Sequence, residues 1–146
     1  MWKSKVTQVM TEDVITVHAD TSLNVVFELL KENNIHHIPV VNDNKEIVGI
    51  ISYQDVMQLL HPSTKFNHPN GWLKTKGFLE TLLAKEVMTK EVFSLTPESE
   101  MQEAAKLLLR NDFHCVPIIH NKQVVGIITP LDIIRYTLLL TKELTV

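Results

Sequence analysis

Apolar residues along this chain follow the same order of patterns twice. In each half a short β-branched segment, Val14–Val17 or Val92–Leu95, precedes a stretch with the periodicity of an amphipathic helix. Two apolar runs around a polar turn come next, Ile38–Val41 and Ile47–Ile51 in the first half, followed by a second helical stretch. The pattern predicts the element order β-α-β-β-α in both halves.

Residues suited to helix capping stand where these helices are expected to begin. In the second half Thr96 is predicted to be the N-cap, with Pro97 at the first helical position. The second helix is predicted to start at Ser52 in one half and at Thr129 in the other. In the first half the equivalents of the Thr96 cap are Asp20, Thr21 and Ser22.

The two halves are a duplication. An offset of 78 places Val9–Thr11 on Val87–Thr89, and after one extra residue in the polar turn an offset of 77 places Val48–Ile51 on Val125–Ile128. We therefore divide the chain into repeat 1 (1–60), a connecting segment (61–84) and repeat 2 (85–146). The expected fold class is α+β, with two pseudo-symmetric repeats packed sheet to sheet, because a three-stranded sheet with helices on one side leaves its other face to be buried.

The repeated residues resemble the CBS domain family. Val48–Asp55 and Val125–Asp132 are similar to its apolar-Gly-apolar-apolar-(Ser/Thr)-x-x-Asp signature, and Ile38–Val40 and Val116–Ile118 are similar to its Ile/Val-Pro strand. The resemblance covers nearly the whole chain. It implies a tandem pair, or Bateman module, that binds an adenosine-containing ligand in the clefts between the repeats and forms a homodimer.

The resemblance also implies roles for particular residues. Ribose and phosphate contacts are expected from Ser52, Asp55, Thr129, Asp132, His36, His114 and Arg135. The vicinity of the adenine is expected to include Ile15, Thr16, Phe93 and Ser94. Arg135 has Gln58 as its counterpart, so the Asp132 site is expected to suit a charged phosphate better than the Asp55 site. Candidate ligands are AMP, ADP, ATP, S-adenosylmethionine and cyclic di-AMP, and no cofactor is required.

Structural interpretations remain open for several of these residues. Ser52-x-x-Asp55 and Thr129-x-x-Asp132 also have the outline of capping boxes, and a capping oxygen can serve a ligand as well. His36 and His114 could be structural histidines. The pairs His36-His37 and His114-Cys115 also raise the alternative of a zinc site, although no ligand spacing supports it and we expect no metal.

Composition narrows the function classes. The formal net charge is −3 and there are two arginines, which argues against a nucleic-acid partner. The single cysteine and the absence of a signal peptide or a long apolar run predict a cytoplasmic protein without membrane contact. No Gly-rich phosphate loop or nucleophile motif is present, so we do not expect an enzyme.

The remaining segments bear on partners. The connecting segment has turn signals at His61-Pro62 and Pro69-Asn70-Gly71, followed by a short amphipathic helix that holds Trp72, Phe78, Leu79, Leu82 and Leu83. The apolar stretch Ile133–Leu140 is expected to lie partly in a homodimer interface. Two hypotheses result: a non-catalytic nucleotide sensor that signals to an unknown effector protein, and a ligand-free dimeric interaction scaffold.

Overall fold

The computed structural model describes residues 1–60, 71–110 and 114–142. A short 3-10 turn covers Val6–Gln8. The strands are β1 (Val17–His18), β2 (His37–Val41), β3 (Ile47–Ser52), β4 (Val116–His120) and β5 (Gln123–Ile128), and the helices are α1 (Leu23–Glu32), α2 (Tyr53–Leu60), α3 (Gly71–Glu80), α4 (Ala84–Val87), α5 (Met101–Leu108) and α6 (Pro130–Leu140). The predicted order β-α-β-β-α is observed in repeat 1, whereas among the described residues of repeat 2 no strand precedes α5 and the order from α5 onward is α-β-β-α. The fold class is α+β.

Two compact units make up the chain. One comprises Ile15–Glu91, and the other combines Met1–Val14 with Val92–Val146. The units do not coincide with the sequence repeats, because the first residues of each repeat, 1–14 and 85–91, belong to the unit that contains the rest of the other repeat.

The unit Ile15–Glu91 contains a three-stranded sheet in the order β1-β2-β3. Strand β1 is parallel to β2, and β2 is antiparallel to β3 with His37 opposite Ser52. Helix α1 buries Leu23, Val26, Phe27 and Leu30 against this sheet, and α3 adds Leu79 to the same core. The predicted first strand is shorter than expected, since Val14–Thr16 precede β1.

The unit formed by Met1–Val14 and Val92–Val146 is built on the antiparallel pair β4 and β5. The predicted strand Val92–Leu95 contributes a single bridge, which joins Leu95 to Ile118 in parallel. Val6, Ala104, Ile118 and Ile128 form the buried core. Asn121 and Lys122, both at positive φ, make the tight two-residue turn between β4 and β5, whereas residues 42–46 join β2 and β3. The length difference between the repeats therefore lies in this turn, as predicted.

The Val-Met-Thr segments near the start of the two repeats are anchored in equivalent ways. Thr11 exchanges backbone hydrogen bonds with Ile127, and Thr89 exchanges them with Ile50. The methionine before each threonine covers a strand glycine. A Cβ atom on Gly49 would lie 2.5 Å from Sδ of Met88, and a Cβ atom on Gly126 would overlap Sδ of Met10. Each repeated glycine is therefore required by a repeated methionine.

The prediction that Thr96 caps the first helix of repeat 2 is wrong. Residues 96–99 form a turn, in which the Ser99 N–H donates to the Thr96 carbonyl at 3.0 Å, and α5 begins at Met101. Its first N–H groups donate instead to carbonyls of the N-terminal segment, Met101 to Ser4 at 2.8 Å and Gln102 to Trp2 at 3.0 Å. These backbone acceptors satisfy the free helix donors that a capping side chain would otherwise satisfy.

The first helix of repeat 1 starts in the same manner. Ser22 occupies the N-cap position of α1 without a side-chain cap hydrogen bond, and the Leu23 N–H donates to the Leu82 carbonyl at 2.8 Å. Leu82 stands 78 residues after Ser4. The first helices of the two repeats therefore receive this backbone cap from equivalent positions. In the connecting segment, α3 ends at Glu80, so Leu82 and Leu83 lie beyond the predicted helix.

Two sequence predictions in the connecting segment, the turns at 61–62 and 69–70, lie outside the described residues. Among the described residues, no helix combines the length and the apolar character that crossing a bilayer requires.

Candidate functional site

The start of α2 carries the first candidate acid. The Ser52 N–H donates to Oδ2 of Asp55 at 2.9 Å, and the Asp55 N–H donates to Oγ of Ser52 at 3.0 Å. This reciprocal pair is a capping box, so the structural interpretation of the motif is correct at this position. Oδ1 of Asp55 receives no hydrogen bond from the described residues, and the half-buried carboxylate therefore keeps acceptor sites for a further donor.

The start of α6 carries the second acid in a fuller set of contacts. Oδ2 of Asp132 accepts hydrogen bonds from the N–H and the hydroxyl of Thr129, both at 2.8 Å. Oδ1 accepts a third hydrogen bond, from the hydroxyl of Thr11 at 3.1 Å. Asp132 is buried, with 8% of its surface exposed. The two copies of one motif therefore hold their carboxylates differently.

A cavity of about 150 Å³ opens beside Asp132 in the unit that contains it. It is lined by Gln8, Val9, Met10, Thr11, Asp132, Arg135, Tyr136 and Leu139. The structure thus brings Asp132 and Arg135 to one cavity, as the sequence analysis expected of a phosphate-binding site. Its volume is below the roughly 300–1,000 Å³ of typical ligand pockets, so it has room for only part of a nucleotide.

Tyr136 ties the cavity to the N-terminal segment. Its hydroxyl lies 3.3 Å from both Oγ of Ser4 and Oε1 of Gln8. Because a phenol has one proton, it can donate to only one of these oxygens at a time. Neither Tyr136 nor Gln8 is among the residues expected from the sequence, since both contacts join positions more than 120 residues apart.

Cys115 lies close to this acid but is not a candidate nucleophile. Burial and, to a smaller extent, the negative charge of Asp132 raise the pKa of the thiol from 9.0 to about 12. A thiol with such a pKa stays protonated at neutral pH, and the thiolate is the reactive form. The buried apolar role is the better interpretation of this residue.

The two candidate histidines are exposed at equivalent positions, His36 directly before β2 and His114 two residues before the start of β4. The carbonyl of His36 accepts a hydrogen bond from the Tyr53 N–H at 2.8 Å, which places His36 beside the start of α2. The counterpart of Tyr53 is Pro130, which has no N–H, so His114 cannot receive the same contact. The structure therefore groups His36 with the Ser52 motif more firmly than it groups His114 with Thr129.

The residues expected near the adenine fall into two pairs. Ile15 packs against the core of its unit, whereas Thr16 is exposed. Phe93 and Ser94 are both exposed in the other unit, and the guanidinium of Arg110 lies 5.7 Å from the centre of the Phe93 ring. Thr16 in one pair and both residues of the other pair are therefore exposed at the surface of their unit.

The part of the chain that the structure describes holds no group of side chains suited to bind a metal ion. No three side chains of His, Cys, Asp or Glu gather there in a way that could hold an ion. The zinc alternative therefore gains no support from the geometry.

The sequence profile of the CBS domain matches residues 6–62 and 84–138, which together cover most of the chain. The chain belongs to the CBS domain family. The two matches are the two repeats, and they include both copies of the Ser/Thr-x-x-Asp motif and both Val-Met-Thr segments.

Solved structures of CBS pairs share the fold. The CBS-pair protein CBSX2 from Arabidopsis thaliana is 26% identical, with a TM-score of 0.81, and the match covers 95% of this chain and 97% of that chain. A structure of CBSX2 in complex with AMP is 25% identical, with a TM-score of 0.76 and coverage of 94% of this chain and 98% of that chain. These matches extend over almost the full length of both partners.

Curated relatives are longer than this CBS pair. Protein MJ1404 of Methanocaldococcus jannaschii is 28% identical over 136 residues, which is 93% of this chain and 32% of that protein. The chain spans between 22% and 41% of the curated relatives that it matches first.

Thr11 is the main site residue that the sequence analysis missed. It was visible only as part of a repeated Val-Met-Thr segment, which has no local link to Asp132. A signal was nevertheless present, because Met10 and Met88 recur at the same spacing as Gly126 and Gly49. The pairing of repeated methionines with repeated glycines could have indicated that each such segment packs on the strand of the other repeat.

Proposed function

We propose that this CBS pair is a non-catalytic regulatory module that binds an adenosine-containing nucleotide at the starts of α2 and α6. In this proposal Asp55 and Asp132 accept hydrogen bonds from the ribose hydroxyls. Ser52 and Thr129 contact the sugar or phosphate, and Arg135 binds phosphate. The observation that carries the proposal is the placement of both Ser/Thr-x-x-Asp motifs at helix N-termini, with Oδ1 of Asp55 open to a further donor. The AMP complex of CBSX2 supports the choice of ligand class.

The chemistry of these helix starts agrees with such a ligand. A carboxylate can accept two hydrogen bonds from a ribose diol. The N–H groups and the positive dipole end of a helix attract phosphate, and both motifs stand at the beginning of a helix of eight residues or more. We propose that His36, whose carbonyl accepts a hydrogen bond from the Tyr53 N–H at the start of α2, adds a donor to the Asp55 site. His114, Ile15, Thr16, Phe93 and Ser94 complete the proposed contacts.

Because we propose no reaction for this module, we propose that it acts by regulating a partner protein. A module that binds a nucleotide without converting it acts by presenting a different surface when the ligand is bound. We propose that this surface includes α6, and that a homodimer or an effector protein contacts it. Leu131 and Ile134 on this helix are 60% and 55% exposed, which is unusual for two large apolar side chains one turn apart. Cytoplasmic localisation is part of the same proposal.

The test is a thermal-shift panel on nucleotide-stripped protein with AMP, ADP, ATP, S-adenosylmethionine and cyclic di-AMP. A ligand at 100 times its dissociation constant stabilises by about 2.7 kcal/mol, which raises the midpoint by several degrees in a chain of this size. We expect a shift with at least one ligand, reduced in Asp55→Asn or in Asp132→Asn and abolished in the double variant. Glu103→Gln is the matched control, because this exposed α5 carboxylate has no side-chain hydrogen bond to the described residues.

The same preparations separate the two hypotheses. A shift that survives in the double Asp→Asn variant would contradict the proposed site. No shift with any nucleotide, together with a dimeric mass by light scattering, would favour the interaction scaffold. That second candidate is favoured by the exposed apolar pair Leu131 and Ile134.

A further inference from the structure

The hydrogen bond between Thr11 and Asp132 connects the proposed ribose acceptor of repeat 2 to a side chain near the start of repeat 1. The backbone of Thr11 is fixed, because its N–H donates to the Ile127 carbonyl at 2.9 Å and its carbonyl accepts from the Ile127 N–H at 3.0 Å. Met10, the preceding residue, is locked over Gly126. The threonine hydroxyl is therefore held next to Asp132 by backbone contacts that do not depend on the hydroxyl itself.

Asp132 has little acceptor capacity left. A carboxylate offers about four lone-pair sites, and three are used by the N–H of Thr129, the hydroxyl of Thr129 and the hydroxyl of Thr11. A ribose diol needs two. One existing donor must therefore leave before both hydroxyls of a ribose can bind, and the Thr129 N–H cannot leave without breaking the start of α6.

The equivalent acid in the other unit has no such competitor. From the described residues, Asp55 accepts one hydrogen bond, which the Ser52 N–H donates. Thr89, which corresponds to Thr11, is exposed, and its side chain makes no hydrogen bond to any residue that the structure describes. Its backbone nevertheless pairs with Ile50 at 2.9 and 3.0 Å, as that of Thr11 pairs with Ile127. The two threonines thus share their anchoring and differ in the contact with the acid.

We propose that the Thr11 side chain is an intramolecular competitor for the ribose at Asp132, which makes the Asp132 site the weaker of the two ribose sites. This inference rests on the proposed function. The hydroxyl of Thr11 donates to Oδ1 of Asp132 until a ligand hydroxyl replaces it, whereas Asp55 binds a ribose diol without any exchange. Arg135, in the same cavity, provides the phosphate contact that this exchange leaves unchanged.

The experiment measures AMP affinity by titration calorimetry in an Asp55→Asn background, which isolates the Asp132 site. Thr11→Val removes the competing hydroxyl and keeps the β-branched shape, so we expect AMP to bind about tenfold more tightly, the scale of one hydrogen bond to a charged group. Thr11→Ser keeps a hydroxyl and is expected to behave as the unsubstituted background. Thr89→Val, the matched control, is expected to leave the affinity unchanged.

Each outcome decides the matter. Tighter binding in Thr11→Val alone supports the competitor, as does AMP binding at the Asp132 site that appears only in this variant. Unchanged or weaker binding in Thr11→Val, with AMP still bound at Asp55 in the parent protein, overturns the inference and leaves the proposed function standing. Absence of AMP binding in the parent protein and in every variant overturns the inference, whereas the proposed function is overturned only if none of the five candidate ligands shifts the midpoint of unfolding. Unfolding curves of the variants establish that each one is folded.

Discussion

The starts of α2 and α6 carry the same motif, but the acids of the two copies differ in burial and in the hydrogen bonds that they accept. Asp55 is half-buried and accepts one hydrogen bond from the residues that the structure describes, whereas Asp132 is 8% exposed and accepts three from them. Both acids stand three residues after a hydroxyl residue, so the difference does not come from the motif. It comes from two hydroxyl groups, those of Thr11 and Thr129, which both donate to Asp132. At the other motif the Ser52 hydroxyl oxygen instead accepts a hydrogen bond from the Asp55 N–H. A duplicated motif therefore does not guarantee two equal sites.

The largest effect is expected at the strand glycines, which the two repeats share. In Gly126→Ala the new Cβ would have the backbone oxygen of Thr11 at 3.2 Å among its three nearest atoms, beside two Met10 atoms, whereas in Gly49→Ala the three nearest atoms would all belong to the Met88 side chain. A side chain can move aside more easily than a backbone carbonyl. We expect Gly126→Ala to lower the free energy of unfolding by about 1–3 kcal/mol and Gly49→Ala to lower it less, measured by urea denaturation.

Gly77 is the control for these glycines. No atom lies within 4 Å of a Cβ atom built there, and the residue belongs to α3. Gly77→Ala is expected to stabilise by about 0.5–1 kcal/mol, through helix propensity alone. Equal losses at positions 49 and 126 would show that the carbonyl of Thr11 does not limit the packing, and a loss at 77 would show that the glycines are not distinguished by these contacts.

The strands and the second helices were predictable because their signals are local. Apolar runs around a polar turn located β2 and β3, and a hydroxyl residue with an acid three positions later located the starts of α2 and α6. The start of α5 was not predictable in this way. Thr96 and Pro97 carry strong local signals for a helix N-terminus, yet the donors of α5 find carbonyls of Trp2 and Ser4, almost 100 residues earlier.

The candidate site divides along the same line. The sequence placed Asp55, Asp132 and Arg135 through a repeated motif and a resemblance, and the structure brings the last two to one cavity. The sequence could not reveal the contact of Thr11 with Asp132, because a hydrogen bond between positions 121 residues apart depends on which segment packs on which strand. Long-range satisfaction of a polar group leaves no local trace in a sequence.

The second prediction tests the difference between the two acids through stability. Asp132→Asn replaces an acceptor of three hydrogen bonds by an amide, whose NH₂ group cannot accept and would face buried donors. We expect a loss of about 1–3 kcal/mol in the free energy of unfolding. Asp55→Asn affects one hydrogen bond at a half-buried position, so its loss is expected to be well below that of Asp132→Asn.

Thermal or urea unfolding of the two variants without added nucleotide provides the measurement. Thr11→Val is informative beside them, since it removes one of the three donors and leaves the carboxylate in place. Its effect is expected to be smaller than that of Asp132→Asn. Equal effects of the two Asp→Asn variants would contradict the unequal hydrogen bonding described above.

The smallest effect concerns a position where the repeats differ in chemistry, Cys115 in one and His37 in the other. Burial raises the pKa of the thiol from 9.0 to about 12 in the folded protein. Between these pH values the unfolded chain loses the thiol proton while the folded chain keeps it. The stabilisation is therefore complete below pH 9 and declines as the pH rises toward 12, by at most about 1.4 kcal/mol per pH unit.

The measurement compares the parent protein with Cys115→Ala by urea denaturation at pH 8 and pH 10. The substitution leaves a small cavity, which lowers stability by the same amount at both pH values because a cavity does not titrate. The advantage of the parent protein over Cys115→Ala is therefore expected to shrink at pH 10 by about 1 kcal/mol. An advantage that stays constant would mean that the thiol ionises as readily in the folded protein as in the unfolded chain. In that case water would reach the packing around Cys115 and Asp132. The contrast between a buried Asp132 site and a more open Asp55 site would then be contradicted.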